Sequence, residues 1–167
     1  MIYPDTFEQK IGFHEIRSML KERCLSTLGK EKIEEMGFST DVALITRQLN
    51  ETREFRRIKE GEEEFPLQHF IDVREGVARL RLDGTYMEEG ELFDLKRVLE
   101  TIHAIVIFLS RDNGDENPQY EYPTLHELCD GVRIFPQIVR RISSMLDRYG
   151  KMVGHASSDL ARIRREL

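Results

Sequence analysis

Three arginines near the end of the chain, Arg162, Arg164 and Arg165, are the residues that would meet a polyanion partner if the chain has one. A guanidinium offers a planar fork of donors that matches phosphate oxygens. The three lie off a stripe of Leu160, Ile163 and Leu167, spaced 3 and 4 apart as on one helix face. Ser157 precedes the stripe as a helix cap. Residues 133–167 hold 8 Lys/Arg and 3 Asp/Glu, so this stretch carries +5 and leaves −11 on the first 132 residues, within a total of −6. The acidic total argues against a dedicated nucleic-acid binder, and any polyanion partner should meet the C-terminal end. The same arginines also fit a solvated helix face paired with acids of neighbouring helices.

Other chemistries fail on spacing. A phosphate-binding loop needs Gly-x-x-x-x-Gly-Lys-Ser/Thr; Gly29-Lys30 is followed by Glu31 and Gly150-Lys151 by Met152, and neither has the upstream Gly. A zinc-protease helix needs two His four apart, but Ser18 and Asp130 stand four after His14 and His126. The Asp112–Asn117 stretch has oxygen ligands with its Gly misplaced for a calcium loop. His14, His69, His103, His126 and His155 are scattered. His69 and His155 read as solvent-facing, and Asp72-Val73-Arg74 as a local salt bridge. Nothing assembles a nucleophile, a base and an orienting group. We expect no catalytic residue, metal site or cofactor site in this segment.

The elements that must position these residues read as helices throughout. Phe13, Ile16, Leu20 and Cys24 make an amphipathic helix entered at Gly12. Leu25, Leu28, Ile33 and Met36 make a second, ended by Gly37. Ser39-Thr40-Asp41 is a cap cluster for a third, carrying Val42, Ile45, Leu49, Thr52 and Phe55 and running to about Glu60. Gly61 to Pro66 breaks it. Asp72 caps a short helix with Val73, Val77 and Leu80. Thr85 to Glu88 fits a capping box by spacing, and a start at Glu88 fits equally. Leu92, Leu95, Leu99, Ile102, Val106 and Leu109 then form the central helix, its end buried on more than one side. After a polar loop over 111–118, Leu125 to Val132 is a short helix. Phe135 to Leu146 is another, with Pro136 in its first turn. Lys151-Met152-Val153 is at most a short extended piece.

At 167 residues the chain is large enough for one domain with its own core. Its charged fraction of 34% suits a solvated helical protein. No apolar run approaches the ~18 residues that span a bilayer, and the N-terminus lacks the basic and apolar regions of a signal peptide. We expect a cytoplasmic protein, in which Cys24 and Cys129 are free, buried thiols. The fold expected is all-α: an irregular multi-helix bundle over 1–156, with 157–167 starting a long helix that continues past Leu167.

The segment Ala156-Ser157-Ser158-Asp159-Leu160-Ala161-Arg162-Ile163-Arg164-Arg165-Glu166 resembles the Ala-Ser-Pro-Glu-Leu-Ala-x-Ile-Arg-Arg stretch of the second bacterial MutS subfamily. Those proteins lack the mismatch-reading domains and end in a small MutS-related nuclease domain. Leu28-Gly29-Lys30-Glu31, Ile71-Asp72-Val73-Arg74, Tyr122-Pro123-Thr124-Leu125 and Asp147-Arg148-Tyr149-Gly150 are similar to family elements in the same order. Ser158 departs from the family Pro, which leaves the cap at Ser157 intact. The resemblance implies a helical core and the start of a lever, joined in the parent protein to a clamp and an ATPase using ATP and Mg. It implies a homodimer acting on DNA or ribosomal RNA, with endonuclease activity in a distant domain. It also implies that Arg162, Arg164 and Arg165 continue onto a helix near nucleic acid. The alternative is an acidic helical module for protein interaction or dimerisation, with no nucleic-acid role.

Overall fold

The structure, a computed structural model, describes residues 6–112, 114 and 119–153. Among them every regular element is a helix, and the only β-pairings are two isolated bridges, Asp112 with Tyr120 and Leu146 with Met152. A one-turn α1 (Phe7–Lys10) precedes the helices read from sequence, and leads through Gly12 into α2 (Phe13–Glu22). Gly12 sits at φ 73°, a left-handed turn that glycine adopts without a Cβ penalty. α3 (Thr27–Glu34) starts at Ser26, whose hydroxyl accepts from the Gly29 amide at 3.1 Å. It is shorter than its apolar pattern: Leu25 and Met36 fall outside it.

α4 (Val42–Glu60) begins where Asp41 accepts from the amides of Ala43 and Leu44 at 2.9 and 3.2 Å, satisfying two of the orphan donors of a helix start. α5 (Arg74–Arg79) follows a connection without regular structure, and Val73, not the expected Asp72, stands at its N-cap. α6 (Glu89–Leu109) starts from Glu88, whose amide donates to the Glu91 carboxylate at 3.0 Å. The box is therefore closed from Glu88. Thr85 is not its cap, because its hydroxyl donates instead to the carbonyls of Arg79 and Leu82. α7 (Pro123–His126) runs into a 3-10 turn, Glu127–Cys129, and Val132 lies beyond both. α8 (Pro136–Met145) carries proline at its start, where the missing N–H is not needed.

α6 is the helix on which the C-terminal half assembles: α7 and α8 pack against it, and α7 also packs on α4. The core lies at that junction. Ile58 of α4, Phe108 and Leu109 of α6, Tyr122, and Leu125 of α7 are buried together, with Phe55, Phe65, Ile105 and Cys129 around them. Phe55, Phe65 and Phe108 form two edge-on contacts at centroid distances of 5.2 Å, the arrangement that ring quadrupoles favour. Ile142 of α8 and Leu146 after it are also buried.

The core is smaller than the apolar periodicity predicts. The stripe read along α4 faces inward only in its second half. Val42 is 75% and Leu49 60% exposed, while Ile58 is 3% exposed. None of the residues of α1, α2, α3 or α5 is buried. Half-buried apolar residues such as Phe13, Leu28 and Ile33 are joined there by polar links. Arg17 donates to the Met36 carbonyl at 2.8 Å and pairs with Glu8 at 2.8 Å, and Lys21 pairs with Glu34. Arg74 bridges α3 to α5 through Glu31.

Candidate functional site

Among the described residues no three His, Cys, Asp or Glu gather as metal ligands. Two of the His residues are occupied structurally. His69 is half-buried with Nδ1 2.9 Å from an Arg97 guanidinium nitrogen, which corrects the solvent-facing position expected for it. His126 stacks on Tyr120. Both cysteines are free but half-buried, not buried. Cys24 donates to the Leu20 carbonyl at 3.3 Å, and burial pushes the Cys129 thiol above its ordinary pKa, away from the reactive thiolate. His155 lies outside the described residues, as does most of the 111–118 loop.

What the chain does position is a set of carboxylate clamps. The Asp72–Arg74 pair expected from the sequence is present, with Arg74 donating to Asp72 at 3.0 and 2.7 Å. The same guanidinium donates to both Glu31 oxygens, at 2.9 and 2.7 Å. This fork holds Asp72 down at about 2, first through the Arg74 side chain and then through the Arg74 amide. Glu31 is lowered by the same side chain. Glu91 is lowered by the Glu88 amide and then by Arg79.

Two further clamps join residues far apart in sequence. Glu54 of α4 is 8% exposed, and its two oxygens accept from the Thr124 and Leu125 amides at 3.0 and 2.8 Å. It caps α7 from 70 residues away. The second clamp fastens the turn after α8. Asp147 accepts from the Tyr149 and Lys151 amides at 2.8 and 2.9 Å, and those amides, Lys151 first, lower its pKa. Glu89, at the start of α6, accepts from the Met152 amide at 3.0 Å and pairs with Lys151 at 3.3 Å. Gly150 is pressed on Phe93: a Cβ there would meet the ring at 2.7 Å, and its φ is 79°. The turn is therefore locked onto α6 through Met152, Lys151 and Gly150. The glycine and the turn are legible in the sequence, but Glu89 and Phe93 are not, because the partners lie about 60 residues apart.

Arg162, Arg164 and Arg165 lie outside the described residues, together with Ser157 and the whole expected lever start. The basic character of the C-terminal end is nonetheless visible on α8, where Arg140 and Arg141 are exposed.

Among the described residues, the C-terminal helices share one small core and ion pairs link the N-terminal helices to one another. No protein-family model matches the chain. Over 157 residues, 94% of its length, it is 28% identical to the endonuclease MutS2 of Alkaliphilus oremlandii and 30% identical to that of Symbiobacterium thermophilum. It is 24% identical over the same share to the putative endonuclease MutS2 of Bacillus subtilis. Along nearly its whole length the chain is MutS2-like, as the resemblance in its final segment implies. It spans about a fifth of the length of these curated relatives, 19–20% of each. No helix among the described residues is long and apolar enough to cross a membrane.

Proposed function

We propose that these residues form the helical core and lever base of a MutS-like, ATP-driven protein acting on nucleic acid, and that they carry motion between a clamp and an ATPase domain. The observation that carries this reading is the locked turn. A segment that transmits force needs a fixed point where the chain leaves the core. Glu89, Phe93 and Gly150 supply one immediately before residue 154. The likeness to MutS2 endonucleases supports the family context. In this reading the parent protein is a cytoplasmic homodimer that uses ATP and Mg, and its substrate is DNA or ribosomal RNA. Arg162, Arg164 and Arg165 contact phosphates on the lever helix. Any nuclease activity belongs to another part of the parent protein.

Reading the gene beyond the Leu167 codon is the first test. A phosphate-binding loop of the form Gly-x-x-x-x-Gly-Lys-Ser/Thr downstream supports the proposal, and an uninterrupted frame without one sinks it. The tail contacts are tested separately with Arg162→Glu, Arg164→Glu and Arg165→Glu. Loss of salt-sensitive DNA affinity is expected, and an unchanged salt slope removes phosphate binding by the tail.

A second reading is favoured by the apolar surface. Val42, Leu44 and Leu49 on α4 and Ile16 and Met19 on α2 are all more than 40% exposed. Such a surface suits an acidic helical interaction or dimerisation module with no nucleic-acid role. Light scattering tests it: a strict monomer at all concentrations removes self-association.

A further inference from the structure

Among the described residues the stretch that holds α8 is basic. Between Gly131 and Val153 the chain has five Lys/Arg (Arg133, Arg140, Arg141, Arg148 and Lys151) and one acid, Asp147, although the whole chain is net −6. Lys151 is paired with Glu89. The four arginines are exposed and have no ion-pair partner among the described residues. Arg140 makes only a long 3.4 Å contact to the Pro136 carbonyl, and Arg148 lies over the ring of exposed Tyr149 at 4.6 Å.

Neighbouring acids do not neutralise this surface. α8 packs against α6, and all four acids of α6 have their own cations: Glu89 with Lys151, Glu91 with Arg79, Asp94 with Arg97 and Glu100 with Lys96. Asp147 is the one acid inside the stretch: its Oδ1 accepts from two amides of its own turn, and its charge still meets that of Arg148 beside it. Elsewhere Arg17, Lys21, Arg47, Arg56 and Arg74 all hold carboxylates. Of the other arginines outside the described ion pairs, Arg23 and Arg81 stand alone, while Arg53 and Arg57 share α4, where Arg53 donates to Asn50 at 3.1 Å and Arg57 lies over the Tyr122 ring at 5.5 Å. The group of four is therefore gathered on one helix and its flanks.

Their placement is regular. Ile142 is the buried residue of α8, 3% exposed. By helical spacing Gln137, Arg140 and Ser144 lie opposite it, with Arg141 on the flank. All four are side chains that donate to phosphate oxygens. Arg133 precedes the helix and Arg148 follows it. At about 1.5 Å per residue the helix is about 15 Å long, enough to lie along more than one phosphate of a duplex whose strands each carry a charge per ~3.4 Å of axis.

We propose that the outer face of α8, flanked by Arg133 and Arg148, binds the phosphate backbone of duplex DNA. This deepens the nucleic-acid part of the function proposed above, rests on that reading, and adds a binding surface on the core, separate from the lever. The contact is to backbone and carries no base sequence.

The test is fluorescence anisotropy of a labelled DNA duplex with the full chain at two salt concentrations. The variants are Arg140→Glu with Arg141→Glu, Arg133→Ala with Arg148→Ala, and a rescue pair, Arg140→Lys with Arg141→Lys. Circular dichroism checks that each retains its helices. The charge-reversed pair is expected to weaken binding by about tenfold or more, and its salt slope to fall by roughly one for each phosphate that is no longer held. The Lys pair should keep the wild-type slope. Unchanged affinity and slope in the charge-reversed pair overturn the proposal. So does displacement of the duplex by polyglutamate or by phosphatidylserine vesicles as readily as by unlabelled duplex. If only the Arg162, Arg164 and Arg165 variants lose affinity, the α8 surface falls and the lever reading stands. If the α8 variants lose affinity and no ATPase motif follows in the gene, the surface stands and the lever reading falls.

Discussion

Single carboxylates hold much of this chain together, and Glu54 is the clearest case. Its two oxygens receive the first free amides of α7 inside a nearly dry pocket. Buried amides left without acceptors are costly, and a hydrogen bond to a charged group is worth about 1.5–3 kcal/mol. Glu54→Gln keeps the shape but turns one acceptor into a donor facing an amide. We expect it to lose about 1–3 kcal/mol in urea unfolding; a loss below about 0.5 kcal/mol would remove this capping role.

At the level of elements, the geometry of the turn after α8 rests on Gly150. Alanine there meets two obstacles, a left-handed φ of 79° and a ring carbon of Phe93 at 2.7 Å. The first alone is worth about 1–2 kcal/mol, and overpacking typically adds about 1–3 kcal/mol. Gly150→Ala should therefore lower the melting temperature. Adding Phe93→Ala should make the effect of Gly150→Ala smaller, since the clash is gone and only the backbone strain remains. Additive effects of the two changes in a double-mutant cycle would show that packing on Phe93 does not hold the turn. The same division between covered and open faces makes α8 amphipathic: Ile142 and the following Leu146 are buried, while its arginines stay in water.

Across the whole molecule, the two halves are held by different forces. The C-terminal half is closed by an apolar core around Phe108, whereas α2 and α3 have no buried residue and combine half-buried apolar side chains with exposed ion pairs. Acid should separate them. Asp72 titrates at about 2 when folded, against an ordinary 3.8. A group with a depressed folded pKa stabilises fully above its unfolded value, and that stability is lost as pH falls. Here the loss runs from 3.8 down through about 2. Glu31 and Glu91, also lowered, act in the same direction. Hydrogen exchange between about pH 4 and about pH 2 should thus show α3 and α5 opening before α6. Asp72→Asn should open them already at neutral pH and flatten the acid dependence. Simultaneous opening of all helices would show that the ion pairs do not govern the N-terminal half.

Residue order alone was enough for the all-α class, most helix positions and the family likeness. Those signals are local: 3–4 spacing, caps such as Asp41, and breakers such as Gly61 and Pro66 act within a turn or two. The uneven charge is equally legible, since charge is counted without knowing the fold. The candidate phosphate residues, Arg162, Arg164 and Arg165, lie outside the described residues, whereas the turn that precedes them is recognisable as a turn from Asp147 and Gly150. Which apolar faces are covered was settled by packing. Periodicity in α4 extends from Val42 to Phe55, but burial needs a partner, and the residues buried against α7 lie in the second half. Tertiary structure also paired Glu54 with α7, Glu89 with Met152 and Phe93 with Gly150, for a carboxylate or a ring bears no mark in the sequence of a partner about 60 or 70 residues away. It determined which arginines are neutralised as well, because an ion pair requires two side chains within about 4 Å, a distance that residue order does not encode.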